Sequence, residues 1–442
     1  MPRRTRPPRP AQKQSPPATA GFTFGAPAKL GGAPRAAVPS AFLMRILHLP
    51  KWYPHRYDDQ DGDFIGRHVA AIAAAAGPGA QVAVVFAAVA RGPLASFIEE
   101  DIDRTGPVPT WRYYYRARPT GWGPLDRLLK LGLWLACQRR GYRAVRRHWG
   151  GAGPDLVHAH ILLRTGLAAW WLKARHGIPY VVTEQWTLYL PARVAQVGWG
   201  RRWLTRAVVR RAGALHAVSQ ALADALGALG ARAPRTAVIA NVVDAALFRP
   251  VAAGADNPDH ARRLLHVAAY HDRVKNLSGV LRVVAALRPA WPGLCLRVAG
   301  YGPDEAALRR YAAELGLLAD GTVEFLGKLP HAAVAAEMAQ ATALVSFSRA
   351  ETFGVVLLEA RACGRPVVAT RMGSVPELFA PEGAFGLLVA PDDEAALAGA
   401  LAEVLARPGQ FDGARLRADA EARCSPAAVG TAFWALYAEV VS

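Results

Sequence analysis

Short runs of β-branched and aliphatic residues alternate with helix-length segments from Arg45 almost to the end of the chain, and this alternation restricts the fold more than any other feature. Short, nearly all-apolar strands separated by helices belong in a parallel sheet covered on both faces. A first series predicts strands over 45–49, 81–87, 155–158, 179–183, 214–218 and 236–240, with helices over 64–76, 124–148, 163–176 and 199–212. A polar stretch with Pro and Gly, Arg249 to His260, breaks the pattern and reads as a linker. A second series follows, with strands near 263–268, 294–299, 322–326, 343–347 and 366–369. The fold class is therefore α/β, and two doubly wound halves place a cleft between the carboxyl ends of their sheets. The expected organisation is a tail over 1–43, a first domain over 44–250, a second over 261–425, and a last helix within 426–442. That helix carries Trp434 and Tyr437 and is expected to return to the first domain.

At 442 residues, 52% hydrophobic and 20% charged, the chain can bury a large core and reads as a soluble globular protein. The longest uncharged stretch, Val69 to Ala90, is cut by Gly77-Pro78-Gly79 into a helical and a β-branched half, so a helix, a turn and a strand are expected there instead of a membrane span. Cys137, Cys295, Cys363 and Cys424 are far apart and form no CxxC pair, which fits a reducing cytoplasm and argues against a zinc site or disulfide framework. No signal-peptide core follows the basic N-terminus.

The net charge is +19. Residues 1–43, rich in Pro and Arg, hold basic residues and no acidic ones, and without periodicity they are expected to be disordered. Met44, directly before the first apolar run, is expected to lie near the functional start. The remainder is still strongly basic, which implies anionic partners or an arginine-rich coding bias.

The segment richest in chemistry runs from Ala343 to Ala360. A buried strand leads into a polar loop with Glu351, and a helix opens near Phe353 with its amides toward the cleft, where a diphosphate would be favoured. Glu359, almost two turns on, can accept hydrogen bonds from a diol such as ribose. Gly300-Tyr301-Gly302-Pro303 closes a strand but lacks the third glycine of a dinucleotide fingerprint, so NAD binding is not supported.

This segment, Ala343 to Ala360, resembles the donor-binding motif of glycosyltransferase family 4, retaining enzymes of the GT-B fold. Further matches keep the family's order: Trp52-Tyr53-Pro54 and the Gly62 loop, His158-Ala159-His160, Thr183-Glu184-Gln185-Trp186, Asn241-Val242-Val243-Asp244, the Gly302 turn, Phe325 to Leu329, Cys363 to Ala369, and Gly373 to Glu377. The resemblance covers about residues 45–441. It implies that Glu359 holds the ribose hydroxyls, Glu351 a hydroxyl of the transferred sugar, and the amides around Phe353, Gly354 and Val355 the sugar and diphosphate. Lys275 would neutralise the leaving diphosphate, so that neither a metal nor another cofactor is required. On the acceptor side it implies Gly62, Glu184 and His160, the last near the reacting sugar carbon. Where the family usually has Gly-Arg this chain has Ala268-Ala269, with Arg273 as the replacement cation; where a histidine is common it has Gln185.

The implied activity is transfer of a hexose-type sugar from a nucleotide-diphosphate donor to a glycan or lipid-linked acceptor, in cell-surface polysaccharide synthesis. An epimerase on the same fold, or a basic membrane-binding protein without catalysis, are the alternatives. Arg139, Arg143 and Arg146 share one helical stripe, as do Arg202, Arg206 and Arg210 beside Trp199 and Trp203. Either stripe reads as a solvated face or as a contact with an anionic membrane at the cytoplasmic side. No nucleic-acid module is present, and no nucleic-acid partner is expected.

Overall fold

The computed structural model describes residues 44–116, 120–251 and 262–442; the tail over 1–43 and most of the expected linker lie outside the described residues. In the first half the chain runs β1 (Arg45–Pro50), α1 (Asp63–Ala74), β2 (Gln81–Val89), β3 (Ile98–Asp103), β4 (Thr110–Tyr115), α2 (Gly123–His148), β5 (Leu156–His160), α3 (Thr165–His176), β6 (Tyr180–Glu184), α4 (Trp199–Arg211), β7 (Ala214–Ala217), α5 (Gln220–Ala228) and β8 (Thr236–Val238). The second half runs β9 (Arg263–Val267), α6 (Asp272–Lys275), α7 (Leu277–Leu287), β10 (Cys295–Ala299), α8 (Glu305–Glu314), β11 (Val323–Gly327), α9 (His331–Gln340), β12 (Ala343–Ser346), α10 (Val355–Ala362), β13 (Val367–Thr370), α11 (Val375–Leu378), β14 (Gly386–Val389), α12 (Glu394–Ala406), α13 (Gly413–Cys424) and α14 (Pro426–Val441).

The first sheet is ordered β3-β4-β2-β1-β5-β6-β7-β8 and the second β11-β10-β9-β12-β13-β14. Both grow outward in two directions from the first strand of their half. The strand order therefore reverses between β1 and β5 and between β9 and β12, and ligands bind beyond the carboxyl ends of such strands. The central strands are buried end to end, as Leu156–His160 and Tyr180–Glu184 illustrate. That is why they read as apolar runs without alternation.

One departure is β3, which pairs antiparallel with β4 so that Ile98 faces Tyr115 and Asp103 faces Thr110. Its sequence, Ile-Glu-Glu-Asp-Ile-Asp, has little β propensity and gives no strand signal on its own. Its acidic side chains suit an edge that must not pair with another chain. Its partner β4, the short helix α5, the short strand β14 and the helices α12 and α13 also went unpredicted.

The last helix lies against α1. Ser425 caps it by accepting a hydrogen bond from the Ala428 amide, with Pro426 at its first turn. Gly430 permits the close crossing, since a Cβ there would stand 2.4 Å from the Ala71 carbonyl oxygen. Phe433 and Tyr437 are then fully buried, and Trp434 Nε1 donates to the Ile72 carbonyl at 2.8 Å. Side chains of this size contribute roughly 1.5–3 kcal/mol each on burial, so this helix is held by its apolar face. All four cysteines are free thiols.

Candidate active site

The donor side is built from two loops at the switch point of the second sheet. Beyond β9 the chain makes the short helix α6, which ends on Lys275, and Asn276 then turns left-handed (φ 51°) into α7. Lys275 thus closes the short helix α6. Beyond β12 lies the loop that leads to α10, whose cap, Gly354, has φ 82°. The Arg349 amide donates to the Val274 carbonyl at 2.7 Å and ties the two loops together. Lys275 Nζ then donates to Glu351 Oε2 at 2.8 Å.

Burial opposes ionisation of Glu351, but the Lys275 charge and hydrogen bond and the Thr352 and Phe353 amides outweigh it, so the carboxyl is held below its usual range. A third loop supports the pair from behind: Gly373 has φ 59°, and a Cβ there would stand 1.9 Å from the Glu351 carbonyl oxygen. Gly302 is set close in the same way, with a Cβ position 2.6 Å from the Tyr270 carbonyl oxygen. Phe353 is buried, Val355 half-buried, and Arg273 is exposed on α6.

Glu359 faces the first half of the chain. Arg67 on α1 donates from Nη1 to Glu359 Oε1 at 2.7 Å and pairs through Nε with Asp63 at 2.6 Å. Other contacts join the halves. Gln60 Nε2 donates to the Leu329 carbonyl at 3.0 Å, and Lys328 pairs with Asp59 at 2.8 Å. Ser219 Oγ donates to the Thr352 carbonyl at 3.0 Å, and the Glu377 carboxylate accepts from the amides of Gln220 (2.9 Å) and Ala221 (2.6 Å). Glu377 thereby serves as an anion at the N-terminus of α5, where the helix dipole favours one. Gly62 caps α1 with φ +66°, and a Cβ there would stand 2.4 Å from the Trp52 carbonyl carbon.

The acceptor side rests on a buried histidine network. His160 is fully enclosed at the end of β5; its Nε2 lies 3.0 Å from His48 Nδ1, one donating and the other accepting. His158 contacts Tyr437 Oη (2.7 Å) and Thr183 Oγ1 (2.6 Å), and Thr183 reaches His216 Nδ1 at 2.8 Å. His216 Nε2 donates to the Ile239 carbonyl at 2.9 Å. Burial, with mutual repulsion added, drives these imidazoles neutral: His48 and His216 are pushed down to about 3, and His158 and His160 well below their ordinary value. His48, His158 and His160 offer ligand atoms within 4.8 Å of one another. Both nitrogens of His158 are already engaged in hydrogen bonds, whereas His48 Nε2 and His160 Nδ1 are buried without a partner. The enclosure also means that His160 presents no edge to the cleft here. Gln185 contacts His68 Nδ1 at 3.3 Å, so a histidine from α1 stands beside the position where the family commonly has one.

Glu184 is fully buried, and its carboxylate accepts from the amides of Gln185 and Trp186 at 2.8 Å each and of Leu162 at 3.2 Å. Burial raises its carboxyl, with those amides and the nearby Lys51 pulling it back. Arg67, His48 and His216 were not singled out from the sequence, and Glu377 appeared there only as the end of a matched segment, without a role. Histidines inside otherwise apolar strands were a visible signal for His48 and His216, and the four-residue spacing of Asp63 and Arg67 for that pair. Nothing local connects Arg67 to Glu359.

A profile described as Glycosyl transferase 4-like domain matches residues 65–242, and one described as Glycosyl transferases group 1 matches residues 261–407. A D-inositol 3-phosphate glycosyltransferase of Corynebacterium efficiens is 31% identical over 350 residues, which span 72% of this chain and 80% of that protein. The chain belongs to glycosyltransferase family 4. An alpha-maltose-1-phosphate synthase of Mycolicibacterium smegmatis is 30% identical over 273 residues, covering 57% of this glycosyltransferase and 70% of its relative.

Among solved structures, sucrose-phosphate synthase from Thermosynechococcus elongatus superposes with a TM-score of 0.70 at 24% identity, over 90% of this chain and 99% of that one. Anabaena HepE, in complex with UDP and glucose, gives 0.65 at 18% identity over 89% and 99%. These likenesses establish the GT-B fold for this glycosyltransferase. It is a transferase of sugar from a nucleotide-sugar donor.

Proposed function

We propose that this glycosyltransferase moves a hexose-type sugar from a nucleoside diphosphate to a hydroxyl of a glycan or lipid-linked acceptor, with retention at the anomeric carbon and without a metal ion, in the assembly of cell-surface polysaccharide. The observation that carries this reading is the Lys275–Glu351 pair (2.8 Å) at the second switch point, beside the start of α10. Amides around Gly354 and Val355, with the positive end of α10, favour a diphosphate. Lys275 adds a full charge, and Arg273, exposed on the same short helix, supplies a second. As the bond to the sugar breaks, the charge growing on the nucleoside diphosphate is met by these groups, so its departure demands no metal.

Glu351 stays ionised beside Lys275 and accepts a hydroxyl of the transferred sugar, while Phe353 packs the loop beneath it. Glu359 accepts from the ribose hydroxyls once Arg67 moves aside. On the other wall the Gly62 loop and Glu184 shape the acceptor side, and His160 acts on it through His48 or by a change in the enclosure around it. Retention is what membership of this family implies. The relative named alpha-maltose-1-phosphate synthase and the HepE complex with UDP and glucose are in keeping with a hexosyl donor.

No helix among the described residues is long and apolar enough to cross a membrane. Trp199 and Trp203 on α4 are 85% and 60% exposed beside the Arg202, Arg206 and Arg210 stripe, which supports peripheral attachment to an anionic leaflet.

A hydrolysis screen of UDP-, GDP- and ADP-sugars with the full chain tests the reading. Turnover of one of them, its persistence in EDTA, release of the sugar with its anomeric configuration kept, and loss in Glu351→Gln are expected. Absence of turnover with every donor, or an unchanged rate in Glu351→Gln, refutes it.

A further inference from the structure

An apolar groove of about 240 Å³ runs between α2 and α3, walled by Leu131, Trp134, Leu135, Leu167 and Trp171. Leu47 and Leu49 of β1 line it too, and Arg164 stands on its rim. The groove continues outward as a stripe on α2: Leu128, Leu131 and Leu135, at helical spacing, are 69%, 43% and 39% exposed. A contiguous apolar face left open to water marks an interaction surface, whereas isolated exposed leucines do not.

Where β1 leaves the groove the chain becomes cationic. Lys51 follows directly on the strand, with its Nζ 4.6 Å from the Trp52 ring and 4.4 Å from the Trp186 ring. The Arg201 guanidinium lies 4.9 Å from the same Trp186 ring, and its Nε is buried without a hydrogen-bond partner. Burial, with repulsion from Arg201 and Arg164, lowers the Lys51 ammonium below its ordinary range, while Glu184 pulls the other way. Among the described residues Glu184 is the carboxylate that acts on Lys51, and three backbone amides already hold its oxygens. Among the described residues, none of Lys51, Arg164 and Arg201 forms an ion pair.

We infer that this place binds the acceptor as a lipid phosphate, with its hydrocarbon chain in the α2–α3 groove and its phosphates on Lys51, Arg164 and Arg201. The inference rests on the glycosyltransferase reading above and names the acceptor class for it. An uncharged glycan would leave three cations without an anion and the leucine stripe in water. A soluble sugar phosphate would meet the cations and leave the stripe bare. An amphiphile with an anionic head satisfies both, because desolvation of the chain and neutralisation of the cations are then gained together.

Calorimetric titration of the full chain with farnesyl diphosphate, inorganic diphosphate and farnesol tests this, in a Lys275→Ala background that weakens the donor diphosphate site and with excess nucleoside diphosphate present to occupy what remains of it. Farnesyl diphosphate is expected to bind at least about tenfold more tightly than either fragment. Arg164→Ala and Leu135→Gln, both at exposed positions, should each weaken it by roughly fivefold or more, and Arg164→Lys should recover part of the loss. Circular dichroism verifies that each variant is folded. Equal affinity for inorganic diphosphate, or unchanged affinity in both variants, overturns the inference. Donor hydrolysis by the unmodified chain is read separately: if it proceeds while farnesyl diphosphate fails to bind, only the acceptor assignment falls, and if it is absent the donor reading falls with it.

Discussion

Arg67 on α1 donates a 2.7 Å hydrogen bond to Glu359 on α10, so the carboxylate assigned to the ribose of the donor is held by a cation from the opposite half of the molecule. Both side chains are mostly withdrawn from water, at 16% and 9% exposure. Arg67 occupies one carboxylate oxygen of Glu359 and competes with a nucleotide for it, and it keeps a second partner in Asp63 at 2.6 Å. Glu359→Gln should therefore weaken nucleotide binding by about tenfold or more and reduce the preference for ribose over 2′-deoxyribose. Arg67→Gln should tighten it several-fold, at a stability loss of roughly 1–3 kcal/mol. Calorimetry and urea unfolding measure the two effects; weaker nucleotide binding in Arg67→Gln would show that the arginine is a ligand and not a competitor.

Lys275→Met removes the charge that keeps Glu351 ionised. A loss of roughly 10²-fold or more in the rate of sugar transfer is expected, the scale seen when one preorganised electrostatic group is removed. The sign of the pH effect follows from the lowered carboxyl. Stability contributed by the pair is fully present above the ordinary carboxylate pKa and is lost as pH falls through the lowered folded value. Urea midpoints between pH 7 and pH 3 should show a smaller acid loss in Lys275→Met than in the unmodified chain.

The buried histidines predict a separate pH dependence. His48, His68, His158, His160 and His216 are all held neutral below their ordinary value of 6.5. Unfolding frees them to take up protons, so stability is whole above that value and falls as pH drops below it, by about 1.4 kcal/mol per pH unit for each fully uncoupled histidine. Proton uptake on unfolding at pH 5, measured by calorimetry in buffers of different ionisation enthalpy, should exceed that at pH 8. His216→Asn should reduce the difference, and equal uptake at both pH values would contradict the neutral assignment.

Gly373→Ala tests the support behind Glu351. A methyl group there would stand 1.9 Å from the Glu351 carbonyl oxygen, on a backbone with φ 59°. Backbone strain of this kind costs about 1–3 kcal/mol, and the loop is expected to shift away. Activity should drop strongly while the circular dichroism spectrum stays that of the parent; an active Gly373→Ala variant would mean that the loop position does not matter to catalysis.

Much of the second half was legible because its signals are local. The strand 343–346, the glycine that starts α10, Glu351 before that glycine and Glu359 along the helix occur within a short stretch of chain. The antiparallel edge strand β3 was not legible, since a strand of Glu and Asp gains its place only from the aromatic residues of β4 beside it. The open apolar face of α2 was equally hidden: the helix was predicted, but which of its leucines are covered depends on where α3 and β1 lie.

The sequence by itself determined the two series of strands and helices and the polar loops beyond the strands, and the family resemblance added the expectation that Glu351 and Lys275 share one site. Periodicity, turn chemistry and motif order act over a few residues, and a single chain displays them. Only the tertiary structure decided that Glu359 meets Arg67 across 292 positions of sequence, that His160 is closed in by His48 and His158, and that Lys51 comes within electrostatic reach of Arg201 and of Arg164, which lines an apolar groove. Those relationships join residues far apart in the chain, and their energies depend on burial and on charge separation, which take a value only once the sheets have packed.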